Sequence, residues 1–212
     1  MLRPTVPLFA GLLLALGLST AHAGAYEDFF RALEVDNASG VVALLQRGFD
    51  PNSRDPRGQT ALYAALREGS GQVAAALLSH PQTRIDLANA AGETPLMIAA
   101  LKGRLDAVRQ LLDRGAALER EGWTPLHYAA SGPAVAVVQL LLEHGAKVDA
   151  RSPNGSTPLM MAARNGSEES VAMLLKQGAD ASLRNEQQLT AADFARQAGR
   201  EKLAEALAQR GR

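Results

Sequence analysis

Apolar residues recur along this chain in short blocks at helical spacing, and most blocks are closed by a glycine. Ala107, Val108, Leu111 and Leu112 fall on one face of a helix, the arrangement of an amphipathic element with one side turned to a core. The leucine pair returns as Leu44-Leu45, Leu77-Leu78, Leu111-Leu112, Leu141-Leu142 and Leu174-Leu175. Gly48, Gly115, Gly145 and Gly178 each stand three residues after a pair, where a helix C-terminus takes a left-handed residue. A second block precedes the last four of these helices. Thr60-Ala61-Leu62-Tyr63-Ala64-Ala65 is echoed by Thr94-Pro95-Leu96-Met97-Ile98-Ala99-Ala100, Thr124-Pro125-Leu126-His127-Tyr128-Ala129-Ala130 and Thr157-Pro158-Leu159-Met160-Met161-Ala162-Ala163. A worn copy starts at Thr190. Threonine is a good N-cap and proline is preset for the first helical position, so each block predicts a second helix. Polar tracts such as Arg54-Asp55-Pro56-Arg57-Gly58 read as tight turns.

The threonines are separated by 34, 30, 33 and 33 residues. A period near 33 residues carrying Thr-Pro-Leu-His-x-Ala resembles the ankyrin repeat, and the resemblance runs from about Tyr26 to Gly211. It implies an all-α solenoid of helix-turn-helix units joined by β-turn fingers, with about six helix pairs. Because one unit cannot bury its own apolar faces, units stack and the ends need polar caps. The expected layout is an N-cap over about 26–53, full repeats over about 54–88, 89–119, 120–151 and 152–184, and a C-cap over about 185–212. Three departures stand out. The link from Leu112 to Thr124 is 12 residues, against 15 or 16 in the other copies. Pro133 replaces the glycine of the helix–helix turn, and Gln188 replaces the finger glycine. Drift in exposed loops explains all three; the alternative for the short third finger is a notch opened beside Trp123.

The N-terminus has a different organisation. Arg3, the apolar run Leu8 to Leu18 and the small-x-small sequence Ala21-His22-Ala23 have the order of a secretory signal peptide. The run is short for a bilayer span, which needs about 20 residues. Residues 1–23 are therefore expected to be removed, leaving a single domain over 24–212. A buried or membrane-anchoring N-terminal helix is the competing reading. The sequence contains no cysteine and its formal charge is zero. An exported chain without cysteine holds together by packing alone, and a neutral balance argues against nucleic acid as partner. Arginine outnumbers lysine eighteen to four, which reflects either base composition or interface chemistry, since the planar guanidinium makes several hydrogen bonds at once.

No catalytic constellation is visible. His127 fills the family's structural histidine position, where the resemblance implies bonding within the helix turns; His80 and His144 read as solvated. There is no metal-ligand spacing, phosphate loop or nucleophile elbow, so neither cofactor nor enzymatic activity is expected. Asn37, Asn154 and Asn165 stand in Asn-x-Ser sequons, readable as turns or glycosylation acceptors.

The resemblance to ankyrin proteins implies partner binding on the concave face, built from finger tips and the exposed side of each inner helix. Carried onto this chain, those positions are Arg57, Gln59, Glu93, Trp123, Asn154 and Ser156 on fingers, and Arg67, Glu68, Leu101, Lys102, Ser131, Arg164 and Asn165 on inner helices. Trp123, the sole tryptophan, has the composition of an interface anchor or packs on the next finger. Tyr128 and Met161, at one repeat position, are expected in the core. The reading that follows is a monomeric, non-catalytic module of the bacterial periplasm that binds another protein and does not insert in the membrane. It resembles short signal-bearing ankyrin proteins of Gram-negative bacteria, some associated with catalase and peroxide defence, others with immunity to or inhibition of wall-cleaving enzymes. A secreted effector binding a host protein is the alternative.

Overall fold

The computed structural model describes residues 24–211, and there the chain forms twelve helices in six consecutive pairs. The expected signal peptide over 1–23 lies outside the described residues. Helix α1 covers 24–34 and α2 Ala38–Gln46. The pairs that follow are α3 (Ala61–Glu68) with α4 (Gly71–Ser79), α5 (Pro95–Leu101) with α6 (Leu105–Asp113), and α7 (Pro125–Ser131) with α8 (Val135–Glu143). The last are α9 (Pro158–Asn165) with α10 (Glu168–Lys176), and α11 (Ala191–Gln197) with α12 (Glu201–Arg210). No described helix is long and apolar enough to cross a membrane.

Two rows run the length of the stack. Helices α3, α5, α7, α9 and α11 form the inner row, while α2, α4, α6, α8 and α10 touch in sequence as the outer row. The repeated residues explain both. Thr60, Thr94 and Thr157 accept a hydrogen bond from the third residue of the helix they start, at 3.3, 3.3 and 3.4 Å. The second residues of α5, α7 and α9, Leu96, Leu126 and Leu159, are fully buried, as are Leu111, Leu141 and Leu174 in the outer row. The alanine pairs Ala99-Ala100, Ala129-Ala130 and Ala162-Ala163 are buried as well; their small side chains let adjacent inner helices approach. At the N-terminal end, Phe29 replaces this pattern and packs on Phe49 with ring centres 4.4 Å apart.

Neighbouring repeats are also stitched through the backbone. Asn52, Asp86, Glu119 and Asp149 each accept from an amide of the next repeat, on Arg84, Ala117, Lys147 and Asp180 at 2.8, 3.1, 2.9 and 3.2 Å. Arginines add a second set. Arg54 reaches Ala88 O at 2.8 Å, and Arg151 reaches Arg184 O at 3.0 Å. Arg200 donates to Ala162 O, Ala163 O and Gly166 O. Arg114 closes α4 by donating to Leu78 O and Thr83 O, where that helix runs out extended at His80 instead of turning on a glycine. A share of the arginine excess thus serves the solenoid itself.

The fingers are hydrogen-bonded turns, and among the described residues they form no named strand. Asp55, Asn89, Ser152 and Asn185 donate their amides to the carbonyls of Gln59, Glu93, Ser156 and Leu189. Gly58, Gly92, Gly122 and Gly155 sit at positive φ in these turns, and Gln188 takes the same conformation at φ 61. The third finger differs in length. Glu119 lies five residues before Thr124, whereas Asn52, Asp86 and Asp149 lie eight before Thr60, Thr94 and Thr157. Three residues are therefore missing from the finger while its link to the next repeat survives.

Candidate protein-binding face

At the end of the shortened finger, Trp123 lies against the inner row. Trp123, Leu101 from α5, His127, Tyr128 and Ser131 from α7, and Met161 from α9 line a cavity of about 220 Å³. The indole meets His127 edge-on, with centres 5.2 Å apart and planes at 80°. His127 is buried. Its Nδ1 accepts from the Thr124 amide at 3.2 Å and lies 2.9 Å from Thr124 Oγ1. Its Nε2 lies 3.0 Å from Ser156 O, so the histidine bonds within its own turn and also to the fourth finger. Burial pushes its pKa below the usual histidine value, against the pull of hydrogen bonds to the Ser156 and Ala150 backbone. The ring is accordingly a neutral strut. Met97 and Met160 hold the same repeat position, each taking the threonine amide on sulfur at 3.4 Å.

Glu93 is tied into the same face. Its Oε2 accepts from Tyr63 Oη at 2.6 Å and Asn89 Nδ2 at 2.8 Å, and its Oε1 accepts from Tyr128 Oη at 3.1 Å. Burial opposes its ionisation, but these three donors outweigh it and hold the carboxyl below its usual pKa. Burial and the carboxylate together push Tyr128 up to about 12. One carboxylate thus fixes tyrosines from two inner helices and braces the Tyr128 wall of the cavity.

The other candidate positions divide into groups. Leu101, Trp123 and Ser131 meet at the cavity just described, and Ser131 Oγ donates to His127 O at 3.1 Å. Arg57 and Arg67 meet at a second cavity of about 480 Å³ at the N-terminal end, with Phe30, Glu34, Asp55 and Glu68. Both of these arginines have partners: Arg57 Nε lies 3.4 Å from Asp55, and Arg67 Nε donates to Glu68 at 2.9 Å. Gln59 is half-buried with its amide on Asp55 Oδ1. Asn154 is exposed but bonded to Ser152 and Ser156 within its own finger. Lys102, Arg164 and Asn165 are exposed, and neither Lys102 nor Arg164 makes an ion pair among the described residues.

Two expectations need correction. Ser156 is a finger residue on paper, but only 1% of it is exposed, because the full-length fourth finger folds it inward against His127 and Asn185. Tyr128 and Met161 were expected in the core; they pack against it only half-buried, with the rest of each side chain on the open face. The sequence carried no clear signal for this, since Ile98 and Phe194 hold the same repeat position and are buried.

The repeat geometry is matched by a family model. The model described as "Ankyrin repeats (3 copies)" fits residues 29–121, 81–152, 116–185 and 136–212. The chain belongs to the ankyrin-repeat family. Ankyrin repeats mediate protein–protein interaction. The mouse B-cell lymphoma 3 protein homolog is 35% identical over 123 residues, covering 55% of this chain and 28% of that protein. A putative ankyrin repeat protein from Rickettsia felis is 28% identical over 130 residues, covering 58% of this chain and 42% of the other. The match thus spans less than half the length of these curated relatives. Among solved structures, one is the Bd0816 predatory endopeptidase from Bdellovibrio bacteriovorus in complex with immunity protein Bd3460. A chain of that complex aligns over 86% of this protein and 97% of itself, at 28% identity and a TM-score of 0.72.

Proposed function

We propose that this ankyrin protein is a non-catalytic, monomeric binding module of the bacterial periplasm that acts as an inhibitor or immunity protein towards an endopeptidase. The observation that carries the reading is the alignment over nearly the whole length of a chain from an endopeptidase–immunity protein complex. Three features support it. The N-terminal sequence has the order of an export signal, the twelve described helices form one uninterrupted stack, and the inner face holds the Trp123 cavity. In this reading residues 1–23 are cleaved and the inner face covers the enzyme's substrate-binding surface. Arg164, Lys102 and the finger residues Arg57 and Asn154 would add polar contacts around that surface.

The test is retention of periplasmic proteins on the immobilised protein beside a Trp123→Ala, Arg164→Ala variant, with identification by mass spectrometry. Retained endopeptidases would then be assayed for inhibition. An endopeptidase held and inhibited by the parent but not by the variant supports the reading. A catalase or peroxidase retained instead would move the function to support of peroxide defence. Retention of no periplasmic protein would sink the periplasmic role and leave a target outside the producing cell.

A further inference from the structure

The Trp123 cavity has a shape and a surround that specify what it receives. Its volume, about 220 Å³, suits one large side chain. The lining is aromatic and aliphatic on three sides, from Trp123, Tyr128, Leu101 and Met161. Most polar atoms of the lining are already engaged: Ser131 Oγ on His127 O, Tyr128 Oη on Glu93, and both His127 nitrogens on Thr124 and Ser156. A charged side chain placed there would lose its water with at most the Trp123 indole N–H to replace it, which is costly. An apolar one would displace water from apolar walls and gain free energy in proportion to the area covered.

The charges outside the cavity have the opposite character. Lys102 directly follows the wall residue Leu101 at the end of α5. Arg164 lies three residues after the wall residue Met161 on α9, a neighbour on the helix surface. Both are exposed and make no ion pair among the described residues. Glu93, the carboxylate that braces the Tyr128 wall, already takes three donors, from Tyr63, Asn89 and Tyr128. The cavity is therefore an apolar socket between two uncompensated cations.

We infer that this socket takes a single aromatic or large aliphatic side chain from a loop of the partner protein, and that acidic residues on either side of that side chain pair with Lys102 and Arg164. The inference rests on the binding role proposed above and names the feature of the partner that is read. The combination of Trp123 with Tyr128 belongs to the third repeat alone: the corresponding finger residue of the fourth, Ser156, is buried against His127 and Asn185, and the first two fingers carry Gln59 and Glu93 there.

The sole tryptophan lines the socket, so its fluorescence reports occupancy directly. The probes are the capped tripeptides Asp-Phe-Asp, Asp-Ala-Asp and Lys-Phe-Lys, titrated into the purified protein. Asp-Phe-Asp should give a saturable emission change, and Asp-Ala-Asp should bind about tenfold more weakly or worse, from loss of one buried aromatic side chain. Lys-Phe-Lys should also bind more weakly, and added salt should narrow that gap. Ser131→Leu places at the socket the residue that its repeat equivalent Leu101 already carries. It should abolish the Asp-Phe-Asp response while leaving circular dichroism and the melting temperature unchanged. In Lys102→Glu, Arg164→Glu the preference should pass to Lys-Phe-Lys. Equal binding of the Phe and Ala peptides, or an undiminished response in folded Ser131→Leu, overturns the inference. The two proposals fail separately: endopeptidase inhibition that survives Ser131→Leu removes the socket and keeps the function, and socket binding without any captured endopeptidase does the reverse.

Discussion

The third and fourth fingers begin from the same ladder and end in opposite surfaces. Glu119 and Asp149 each take an amide of the following repeat, on Lys147 and Asp180. Beyond that point the fourth finger has room to close. Ser152 pairs with the Ser156 backbone, Asn154 caps the turn, and Ser156 is buried. At the third finger, three residues shorter, Trp123 is half-buried beside α7 and lines a cavity with Tyr128 and Met161. The solenoid's stacking depends on the ladder and the leucine rows, while the shape of its inner face depends on finger length. A deletion can therefore change what the surface offers without disturbing the stack.

The largest effect should ignore the difference between the fingers. Leu126 and Leu159 are both fully buried in their inner helices. Leu126→Ala and Leu159→Ala should each cost about 2–5 kcal/mol in urea unfolding, with similar values for the two. A clearly cheaper Leu126→Ala would mean that the short finger loosens its own core, and the separation of stack from surface would fail.

His127 links the two regions and sets the next effect. His127→Met installs the residue of the second and fourth repeats at that position. It should cost about 1 kcal/mol at pH 7, the worth of the bond to Ser156 O. The pH dependence follows from burial, which holds the folded pKa below the usual histidine value of about 6.5. Above 6.5 both folded and unfolded chains carry a neutral ring, and the group adds no pH dependence. As pH falls through 6.5 the unfolded chain takes up a proton that the folded chain resists, so stability falls. The parent should lose stability between pH 7 and 5, and His127→Met should lose less. Parallel pH profiles for the two proteins would show that this histidine is not the sensor. A smaller effect of opposite sign belongs to the fifth finger. Gln188 occupies a left-handed conformation at φ 61, unfavourable for a residue with a Cβ. Gln188→Gly should raise stability by about 0.5–1 kcal/mol, read as a higher melting temperature.

These features were unequally legible in the sequence. The helix pairs, the threonine caps and the buried leucines follow from spacing and local chemistry, which act within a few residues and repeat five times. The shortened finger was legible as a length, and so was Trp123 beside it. What spacing could not show was the destination of each side chain around it. Ser156 and Trp123 precede equivalent threonines, yet one is buried against His127 and Asn185 while the other lies half-buried at the open face. Glu93 reads from the sequence as a finger position of the binding face; its tie to Tyr63 and Tyr128 crosses inner helices two repeats apart. The arginines posed the same problem, since Arg54, Arg114, Arg151 and Arg200 find their carbonyls in other repeats. Contacts between repeats depend on the stacking geometry, which the pattern within one repeat does not contain.

The smallest effect on stability should accompany the largest change of surface. Replacing Arg120 and Glu121 with the five residues found at 150–154 restores the length of the third finger and retains Glu119, Gly122 and Trp123. The graft carries the Ser152 and Asn154 groups that close the fourth finger, so the new turn can satisfy its own backbone. The leucine rows and the ladder are untouched, and unfolding free energy should change by no more than about 0.5 kcal/mol. Closure should turn residue 123 towards the position that Ser156 takes, which an indole cannot occupy beside His127 without covering Tyr128. The socket would fill with the protein's own tryptophan, and the fluorescence response to Asp-Phe-Asp should disappear. A graft that folds, melts like the parent and still binds the peptide would mean that the socket is set by Trp123 and Tyr128 themselves, and finger length would lose its part in the comparison.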